Sequence, residues 1–312
     1  MTEDSTSALV GAIVLAHNGA QDTVKCLRSL RDTTWPNLRT FVVDNASSDD
    51  TAAIVGTHFP EVTLVRSDRN LGYAGGNNLG IECALQEGCD YLLVLNNDTF
   101  VEPSTIHTLV ASAQEGSTVG AVVPLITYLE YPEVIWYAGG DYDPRRGYPG
   151  RMRHYRARIS DVTLAPGPTD RFSGAAVLLP ASVVEQVGGF SEDLGFLYED
   201  VDLSLRIRAV GLDIWFAPDA VVRHRVAMTQ RGEHSTMSFY YGVRNQLRVG
   251  ELHAPLRFVA DARRRAVTIA VHLARVRRAN QRRAAVAAVL RGVRDHRHAR
   301  FGYTPPRIAG KP

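Results

Sequence analysis

The sequence predicts an α/β fold in which a mostly parallel, Rossmann-like central sheet is flanked by helices and followed by a basic helical appendage. Two observations predict the sheet. Apolar runs of strand length alternate with helix-like segments through the N-terminal third of the chain, and each run ends in small or polar residues. The appendage is predicted by the arginines that crowd the C-terminal part of the chain.

Four apolar runs have the length and composition of buried strands, and three helix-like segments separate them. The strands are expected at residues 12–16, 40–43, 62–66 and 91–95, and the helices at 22–30, 47–57 and 77–87. Ser47, Ser48 and Asp49 suit the N-cap of the second helix. This alternation favours parallel strands joined by crossover helices.

The later part of the chain gives weaker signals. A further buried strand is expected at 175–179, ended by Pro180, whereas 119–150 is rich in Gly, Pro and Tyr and is predicted to be a long loop or hairpin region. The composition, 45% hydrophobic and 22% charged, is that of a globular chain. We expect one large domain over residues 1–237, with halves of about 1–118 and 119–237, and an Arg-rich helical appendage over 238–312.

Three features of the sequence predict a cytoplasmic protein. The N-terminus is polar and lacks the pattern of a secretion signal. No apolar run approaches the roughly 20 residues needed to span a bilayer. Cys26, Cys83 and Cys89 have no zinc-type spacing, which favours reduced thiols in the core.

The charge is divided unevenly along the chain. Residues 252–312 hold 15 Lys and Arg against 2 acids, whereas residues 1–251 hold 20 against 31. An acidic body with a basic tail is consistent with contact with an anionic surface, such as a membrane or a nucleic acid, and equally with a solvated helix face. Within the tail, one helix face can hold apolar residues opposite a set of arginines. The apolar residues are Val267, Ile269, Ala270, Leu273 and Val276, and the arginines are Arg264, Arg265, Arg275 and Arg278.

Polar residues at the ends of the predicted strands point to a ligand site. In an open α/β sheet, ligands bind at the carboxyl ends of the strands, and these ends lie along one edge. One polar strand end is usually a turn, but several on one edge build a polar cleft. The residues are His17, Asn18 and Gly19 after the first strand, Asp44, Asn45 and Ala46 after the second, and Asn96, Asn97 and Asp98 after the fourth.

The glycine-rich stretch "SDRNLGYAGGNNLG" follows the third strand, at residues 67–80. It does not match the dinucleotide fingerprint G-x-G-x-x-G. We predict a loop with glycines at positive φ before a helix N-terminus, a geometry that suits a diphosphate because backbone N–H groups there favour anions.

Acidic residues supply two further candidates. A carboxylate at Asp98 could hold a divalent cation that neutralises a diphosphate leaving group, and His224 at a later strand end could complete that site. Glu199, Asp200 and Asp202 lie in "GFLYEDVDLSLR", where a carboxylate could take a proton from an acceptor hydroxyl. We predict a helix there, because Asp202 and Arg206 form an i,i+4 pair.

Together these segments resemble the family-two inverting glycosyltransferases of the GT-A fold, in their rhamnosyltransferase-like subgroup. The resemblance covers residues 12–245. It is carried by "AIVLAHNG", "FVVDNASSDDT", "RNLGYAGGNNLGI", "YLLVLNNDT", "FSGAAVLLPASVVEQVGGFSEDLGFLYEDVDLSLRIRAVG" and "APDAVVRH".

The resemblance implies a role for each matching position. Asp98 and His224 would bind Mg²⁺ or Mn²⁺, Asp200 would be the general base, and Glu199 would help to position the substrates. The nucleotide-sugar site would be formed by Ala16, His17, Asn18, Asp44, Asn45, Arg69, Asn70, Gly75, Asn78, Asn96 and Asn97. Asn96 stands where the family's metal motif has its first Asp, which implies weaker dependence on the metal, and Ser191 stands where Asp is frequent.

The resemblance also implies the substrates. The donor would be a dTDP-deoxyhexose such as rhamnose, or a UDP-hexose, and the acceptor a hydroxyl on a glycan, a lipid-linked glycan or a natural product. The basic tail would allow peripheral contact with the inner membrane face, and no nucleic acid is expected as a partner. Two alternatives stay open: a sugar-1-phosphate nucleotidyltransferase, and a nucleic-acid-binding module that uses the tail.

Overall fold

A computed structural model describes residues 8–116, 118–143, 148–226 and 236–304. The strands are β1 (Val10–Ala16), β2 (Leu38–Asn45), β3 (Thr63–Ser67), β4 (Tyr91–Asn96), β5 (Thr99–Val101), β6 (Val119–Tyr128), β7 (Ile135–Tyr137), β8 (Gly140–Asp143), β9 (Tyr148–Met152), β10 (Gly167–Thr169), β11 (Ala176–Pro180) and β12 (Asp213–His224). The helices are α1 (Ala20–Arg31), α2 (Thr51–His58), α3 (Gly72–Gln86), α4 (Thr105–Gln114), α5 (Ala181–Val187), α6 (Glu199–Ala209), α7 (Thr236–His253), α8 (Phe258–Arg275) and α9 (Arg282–Arg297).

Ten strands form one mixed sheet, in the order β3-β2-β1-β4-β11-β6-β12-β10, with β5 paired to β12 and β7 to β6. Strands β1 to β4 are parallel, β11 runs antiparallel between β4 and β6, and β12 is parallel to β6. Strands β8 and β9 form a separate hairpin. The α/β prediction is therefore confirmed.

The core lies on both faces of the parallel half of the sheet. Leu92, Leu93, Val94 and Leu95 of β4 are fully buried, as a strand covered by helices on both sides requires. The register pairs Ala16 with Asp44 and Leu15 with Asn96, so β1, β2 and β4 end at one level. This alignment brings their polar ends to one edge of the sheet.

The glycine-rich stretch is a helix where a loop was predicted. Helix α3 begins at Gly72, five residues earlier than expected, and Gly72 is the member of this stretch with positive φ, at 74°. The others serve close packing: a Cβ on Gly80 would approach Ile13 Cγ2 to 2.5 Å and Val43 Cγ2 to 2.9 Å. Glycine here allows the helix to lie against β1 and β2.

Two other expectations were wrong in part. Helix α2 was expected from residue 47 but begins at Thr51. Asp49 accepts hydrogen bonds from the backbone N–H groups of Thr51, at 3.1 Å, and of Gly19, at 2.8 Å, and so connects the start of α2 to the start of α1. The first ten residues of the expected loop region 119–150 are the buried strand β6. Pro124 concealed this strand, but it lies where the register with β12 shifts, a position that tolerates proline.

Other predictions agree with the described residues. The acidic segment is helix α6, and Arg206 Nε lies 2.9 Å from Asp202 Oδ2. The cysteines are free thiols, and burial raises the pKa of Cys26 to about 12. Across the described part of the chain, none of the helices combines the length and hydrophobicity that a membrane span needs.

Candidate active site

The polar ends of β1, β2 and β4 are tied together at the predicted edge. His17 Nδ1 lies 2.9 Å from the backbone oxygen of Asn45, and Asn97 Nδ2 donates to the backbone oxygen of Asn18 at 3.1 Å. Asn18 in turn accepts from the backbone N–H of Ser48 at 2.8 Å. Ala16, by contrast, is fully buried. The side chains of three strand ends therefore form one hydrogen-bonded rim.

Two of the predicted nucleotide-site residues use their amides inside the fold. Asn45, 2% exposed, accepts from the N–H of Leu71 at 2.8 Å and donates to the backbone oxygen of Gly72 at 2.9 Å. It also donates to Asn70 Oδ1 at 3.2 Å, and Asn70 Oδ1 accepts from the N–H of Gly72 at 2.8 Å. This pair of amides fixes the start of α3 on β2.

Asp44 is also buried, with 2% of its surface exposed. Its Oδ1 accepts from the backbone N–H of Ser47 at 3.1 Å, and Arg66 Nε lies 3.8 Å from its Oδ2. Arg69, two residues beyond β3, is exposed. A carboxylate with one loosely paired oxygen at a strand end can accept a hydrogen bond from a base.

The sequence analysis predicted that backbone N–H groups at the start of α3 would bind a diphosphate, but these groups are used inside the fold. The backbone N–H groups of Tyr73 and Ala74 donate to the carbonyl oxygen of Gly195, at 2.8 and 3.2 Å. Asn78 donates to the carbonyl oxygen of Phe190 at 2.9 Å, and a Cβ on Gly75 would lie 3.8 Å from Glu192 Cδ. Gly75 and Asn78 therefore face the loop at 190–195, and their predicted diphosphate contact is not supported.

Asp98 and His224 are brought together by the pairing of β5 with the end of β12. His224 Nε2 lies 3.0 Å from Asp98 Oδ1 and 3.4 Å from Asn96 Nδ2. Trp136 packs edge-to-face on the imidazole, with ring centroids 4.7 Å apart. His224 is 7% exposed, and its Nδ1 has no hydrogen-bond partner among the described residues. Two residues 126 positions apart in the sequence thus form one donor pair.

This pair fits a divalent cation shared with a substrate. A carboxylate oxygen and an imidazole nitrogen are ligands that Mn²⁺ accepts, and Mg²⁺ usually takes one or two carboxylates with substrate phosphates. Within residues 8–116, 118–143, 148–226 and 236–304, no group of three or more His, Cys, Asp or Glu side chains could hold a metal. The remaining ligands would have to come from a diphosphate and water.

Asp200 lies in the first turn of α6 and lines a cavity of about 780 Å³. Its Oδ2 accepts from the backbone N–H of Gly174 at 3.2 Å. Arg171, Tyr155 and Tyr198 line the same cavity. Its Oδ1 accepts from the backbone N–H of Val201 at 2.8 Å, so both oxygens are anchored. A carboxylate held in this way at a cavity wall is placed to accept a proton from a bound hydroxyl through a remaining lone pair.

The two carboxylate sites are neighbours through the pairing of β4 with β11. The backbone N–H of Asn96 donates to the carbonyl oxygen of Ala175 at 3.1 Å, and the adjacent Gly174 binds Asp200. Asp98 lines a separate cavity of about 220 Å³ with Asp22 and Lys25. The sites therefore lie at adjoining strand ends, but the described residues do not enclose them in one cavity.

Glu199 and Asp200 are adjacent carboxyls in different surroundings. Burial and the Asp200 charge raise the pKa of Glu199 well above its usual value, and Glu199 Oε2 has no hydrogen-bond partner among the described residues. Burial also raises the pKa of Asp200, but Arg171 and the N–H of Gly174 oppose that rise. Of the two carboxyls, Glu199 is therefore the more readily protonated and Asp200 the more readily ionised.

Arg171 escaped the sequence analysis. It is 8% exposed, donates from Nε to the backbone oxygen of Asp141 at 3.3 Å, and lies with its guanidinium 5.8 Å from the ring centre of Tyr137. A Cβ on Gly140 would lie 2.8 Å from its Cζ, so the glycine makes room for the guanidinium. The only sequence signal was an arginine just before "FSG", which also fits a surface residue.

Arg244 and Asn245 of α7 hold the loop that precedes Asp200. The fully buried Arg244 donates to the backbone oxygens of Asp193, Leu194 and Gly302, at 2.8–3.0 Å. Asn245 Nδ2 donates to the backbone oxygen of Leu197 at 2.7 Å. Leu197 and Tyr198 have positive φ, 67° and 74°, which is strained for such side chains. These contacts hold Leu197 and Tyr198 in their strained conformation, directly before Glu199 and Asp200.

The sequence of this chain is similar to a known protein family and to proteins of known activity. The family model described as glycosyl transferase family 2 matches residues 12–171, more than half of the chain. An N-acetylglucosaminyl-diphospho-decaprenol L-rhamnosyltransferase of Mycobacterium tuberculosis is 28% identical over 237 residues, 69% of this chain and 76% of that protein. Galactofuranosyltransferase GlfT1 of the same organism is 27% identical over 218 residues, 69% of each chain.

Among solved structures, GalNAc-T7 with UDP, GalNAc and Mn²⁺ has a TM-score of 0.62 at 17% identity. The likeness covers 78% of this chain and 48% of that one. At this identity it supports the fold alone, and that fold is GT-A, as the sequence analysis expected.

Proposed function

Because this chain belongs to glycosyl transferase family 2, we propose that it is an inverting hexosyltransferase that uses a nucleoside-diphosphate sugar and a divalent cation. The observation that carries the proposal is the placement of Asp200. Its carboxylate lines a cavity of about 780 Å³ and is joined through Gly174 to the strand end that bears the Asp98–His224 pair. Family membership also removes support for the nucleotidyltransferase and nucleic-acid-binding alternatives.

In the proposed reaction, Asp200 accepts the proton of an acceptor hydroxyl. The hydroxyl oxygen forms a bond to the anomeric carbon as the bond from that carbon to the diphosphate oxygen breaks on the opposite face. One displacement of this kind inverts the anomeric configuration. Arg171, which lines the same cavity, lowers the pKa of Asp200 and so favours the ionised base. Glu199, next to Asp200 in the sequence, is buried, and its proposed role is to support the turn that carries the base.

The cation would be held by Asp98 and His224, with Asn96 beside them. When bound, it would neutralise the charge that develops on the departing diphosphate. The presence of Mn²⁺ with the GT-A neighbour supports a divalent cation here. The base of the nucleotide would be bound at Asp44, where one carboxylate oxygen is available.

The donor and the acceptor are finer proposals. One relative is an N-acetylglucosaminyl-diphospho-decaprenol L-rhamnosyltransferase, which supports a dTDP-deoxyhexose donor and a lipid-linked glycan acceptor for this chain. The galactofuranosyltransferase relative supports other hexosyl donors as the alternative. The proposed catalytic domain is residues 1–237, and residues 238–312 are its appendage. The proposed location is the inner face of the membrane, by peripheral contact.

The test is a calorimetric screen of sugar nucleotides with Mg²⁺, with Mn²⁺ and with a chelator, followed by product analysis for the anomeric configuration. We expect tight binding of one pyrimidine nucleotide sugar that weakens when the cation is removed. Retention of the anomeric configuration in the product would contradict the single displacement at Asp200. If the protein instead binds free sugar phosphates and nucleoside triphosphates, the result would favour a sugar-1-phosphate nucleotidyltransferase.

A further inference from the structure

Helix α8 turns an apolar face to solvent. Its largest outward side chains are Phe258, 87% exposed, Val259, 79%, Val267, 53%, Val271, 40%, and Leu273, 37%. Apart from Arg263, every exposed residue of α8 is Ala, Val, Leu or Phe. A helix on the surface of a water-soluble domain normally has the opposite polarity, with its charges outward.

Several polar side chains of α8 are held by contacts with neighbouring residues. Arg265 bridges Asp261, the single acid of α8, at 2.6 Å, and Glu251 of α7 at 2.8 Å. Arg264 donates to the backbone oxygen of Ala254 at 2.5 Å, and His272 Nε2 lies 2.9 Å from Gln246 Oε1. Arg264 and Arg265 are therefore both paired, although the Arg265 side chain is still 40% exposed.

Most of the exposed surface of α8 is thus apolar. Single exposed apolar residues are ordinary, but a continuous apolar face of this extent marks a surface that is covered in use. The contacts of Arg265 with Glu251 and of His272 with Gln246 tie α8 to α7, so the apolar face cannot turn inward without breaking them.

Two features favour a lipid surface as the cover. The exposed charges beside the face, Arg257, Arg263 and Arg277, are all cationic, which complements anionic headgroups. The face also borders a groove of about 1080 Å³, lined by Leu256, Val267 and Val271, with Arg275 at one side. Arg275 also lines the 780 Å³ cavity that holds Asp200. The apolar face is therefore next to the catalytic cavity.

We propose that α8 lies in the interface of an anionic membrane with this apolar face inserted, so that the Asp200 cavity is held beside the lipid surface. The binding itself is independent of the proposed function. The consequence for the substrate rests on that function: an acceptor delivered from the membrane plane reaches Asp200 past Arg275. Binding to the membrane is driven by the apolar face and strengthened by the flanking arginines, in contrast to a purely electrostatic tail.

The experiment measures co-sedimentation of the full chain with vesicles of phosphatidylcholine alone and with phosphatidylglycerol added. The test variant is Phe258→Ser with Val259→Ser, at two exposed positions where folding should be unaffected. The matched control is Leu290→Ser of α9, 56% exposed and off the α8 face. Circular dichroism and thermal melting check the fold of each variant.

We expect the wild type to bind vesicles that contain the anionic lipid, the double variant to bind at least about tenfold more weakly, and the control to bind as the wild type. Arg257→Glu with Arg263→Glu should remove the preference for anionic vesicles. Equal vesicle binding by the wild type and the α8 double variant would overturn the proposal. So would a wild type that binds no vesicles but forms a dimer that the double variant disrupts, because a second copy would then cover the face.

Transfer to a water-soluble acceptor separates this inference from the proposed function. The α8 double variant should keep wild-type transfer to such an acceptor, because neither substituted residue lines the Asp200 cavity. Vesicle binding without any transfer would uphold the membrane face and reject the enzymatic proposal. Transfer without vesicle binding would uphold the enzymatic proposal and reject the membrane face.

Discussion

The backbone N–H of Gly174 donates a hydrogen bond to Asp200 Oδ2 across 3.2 Å. This bond joins Gly174, two residues before β11, to the first turn of α6, and the backbone N–H of Val201 holds the other oxygen at 2.8 Å. Both bonds stabilise the ionised form of Asp200, whereas the neighbouring Glu199 lacks such a donor at Oε2. The roles proposed for these adjacent acids rest on that difference in surroundings.

Replacing Asp200 tests its role as the base. Asp200→Asn keeps the shape of the side chain but cannot accept the proton, so we expect kcat to fall by about 10²–10⁴-fold while donor affinity stays within about twofold. Steady-state kinetics and calorimetry measure the two effects. Asp213→Asn, an exposed acid at the start of β12, is the control. Near wild-type turnover by Asp200→Asn would reject this assignment.

The pH profile should report the pKa of Asp200. Transfer requires the ionised carboxylate, so kcat should fall as the pH drops through this pKa, which burial places above the usual value for Asp. Arg171 lowers that pKa, and therefore Arg171→Gln should move the acidic limb of the profile to higher pH, whereas Arg171→Lys should move it less. A limb that stays in place in Arg171→Gln would show that another group titrates.

Glu199 should make stability depend on pH. Its folded pKa is raised by burial, so between the unfolded and folded values the folded state binds a proton that the unfolded state has lost. Stability then decreases as pH rises through this window, by at most about 1.4 kcal/mol per pH unit. Glu199→Gln removes this slope. Urea unfolding at several pH values measures it, and identical slopes in both proteins would contradict the assignment.

The Asp98–His224 pair should couple donor affinity to the cation. Asp98→Ala and His224→Ala each remove one of the two ligands, so we expect donor affinity in Mn²⁺ to fall by about 10–100-fold and to lose most of its sensitivity to chelators. Isothermal titration with the nucleotide sugar measures this. Asp219→Asn, an exposed acid on the same strand as His224, is the control. Undiminished affinity in either alanine variant would remove that residue from the site.

The sequence predicted features that depend on local pattern, and missed those that depend on packing at a distance. Apolar runs identified β1 and β4, and the acids at 199–202 identified α6. The start of α3 was misplaced because the glycines that look like a loop are needed for close approach to Ile13 and Val43. Helix periodicity predicted one apolar face in this segment, but the structure divides it, because Val267 and Leu273 are exposed whereas Ile269 and Val276 pack inward.

Arg244 and Asn245 lie in α7, far along the chain from the loop they hold, and no local pattern marks them as functional. Because Asn245 fixes Leu197 within a turn of positive φ, Asn245→Ala should release that turn and displace Asp200. We expect kcat to fall at least about tenfold with little change in donor affinity, since the Asp98–His224 pair is untouched.

Arg244→Lys tests the same loop through stability. Lysine cannot reproduce the bonds of the guanidinium to three backbone oxygens, and each lost bond to a buried charged donor costs about 1.5–3 kcal/mol. The melting temperature should therefore fall in Arg244→Lys, whereas Arg248→Lys on the next turn of α7 should have a smaller effect, because its guanidinium lies 3.8 Å from Asp193 and is more exposed.

Asn245→Ala distinguishes positioning from general destabilisation. If its kcat recovers fully at a lower temperature where the fold is intact, Asn245 is only a structural residue, but a deficit that persists there means that the loop sets the position of the base.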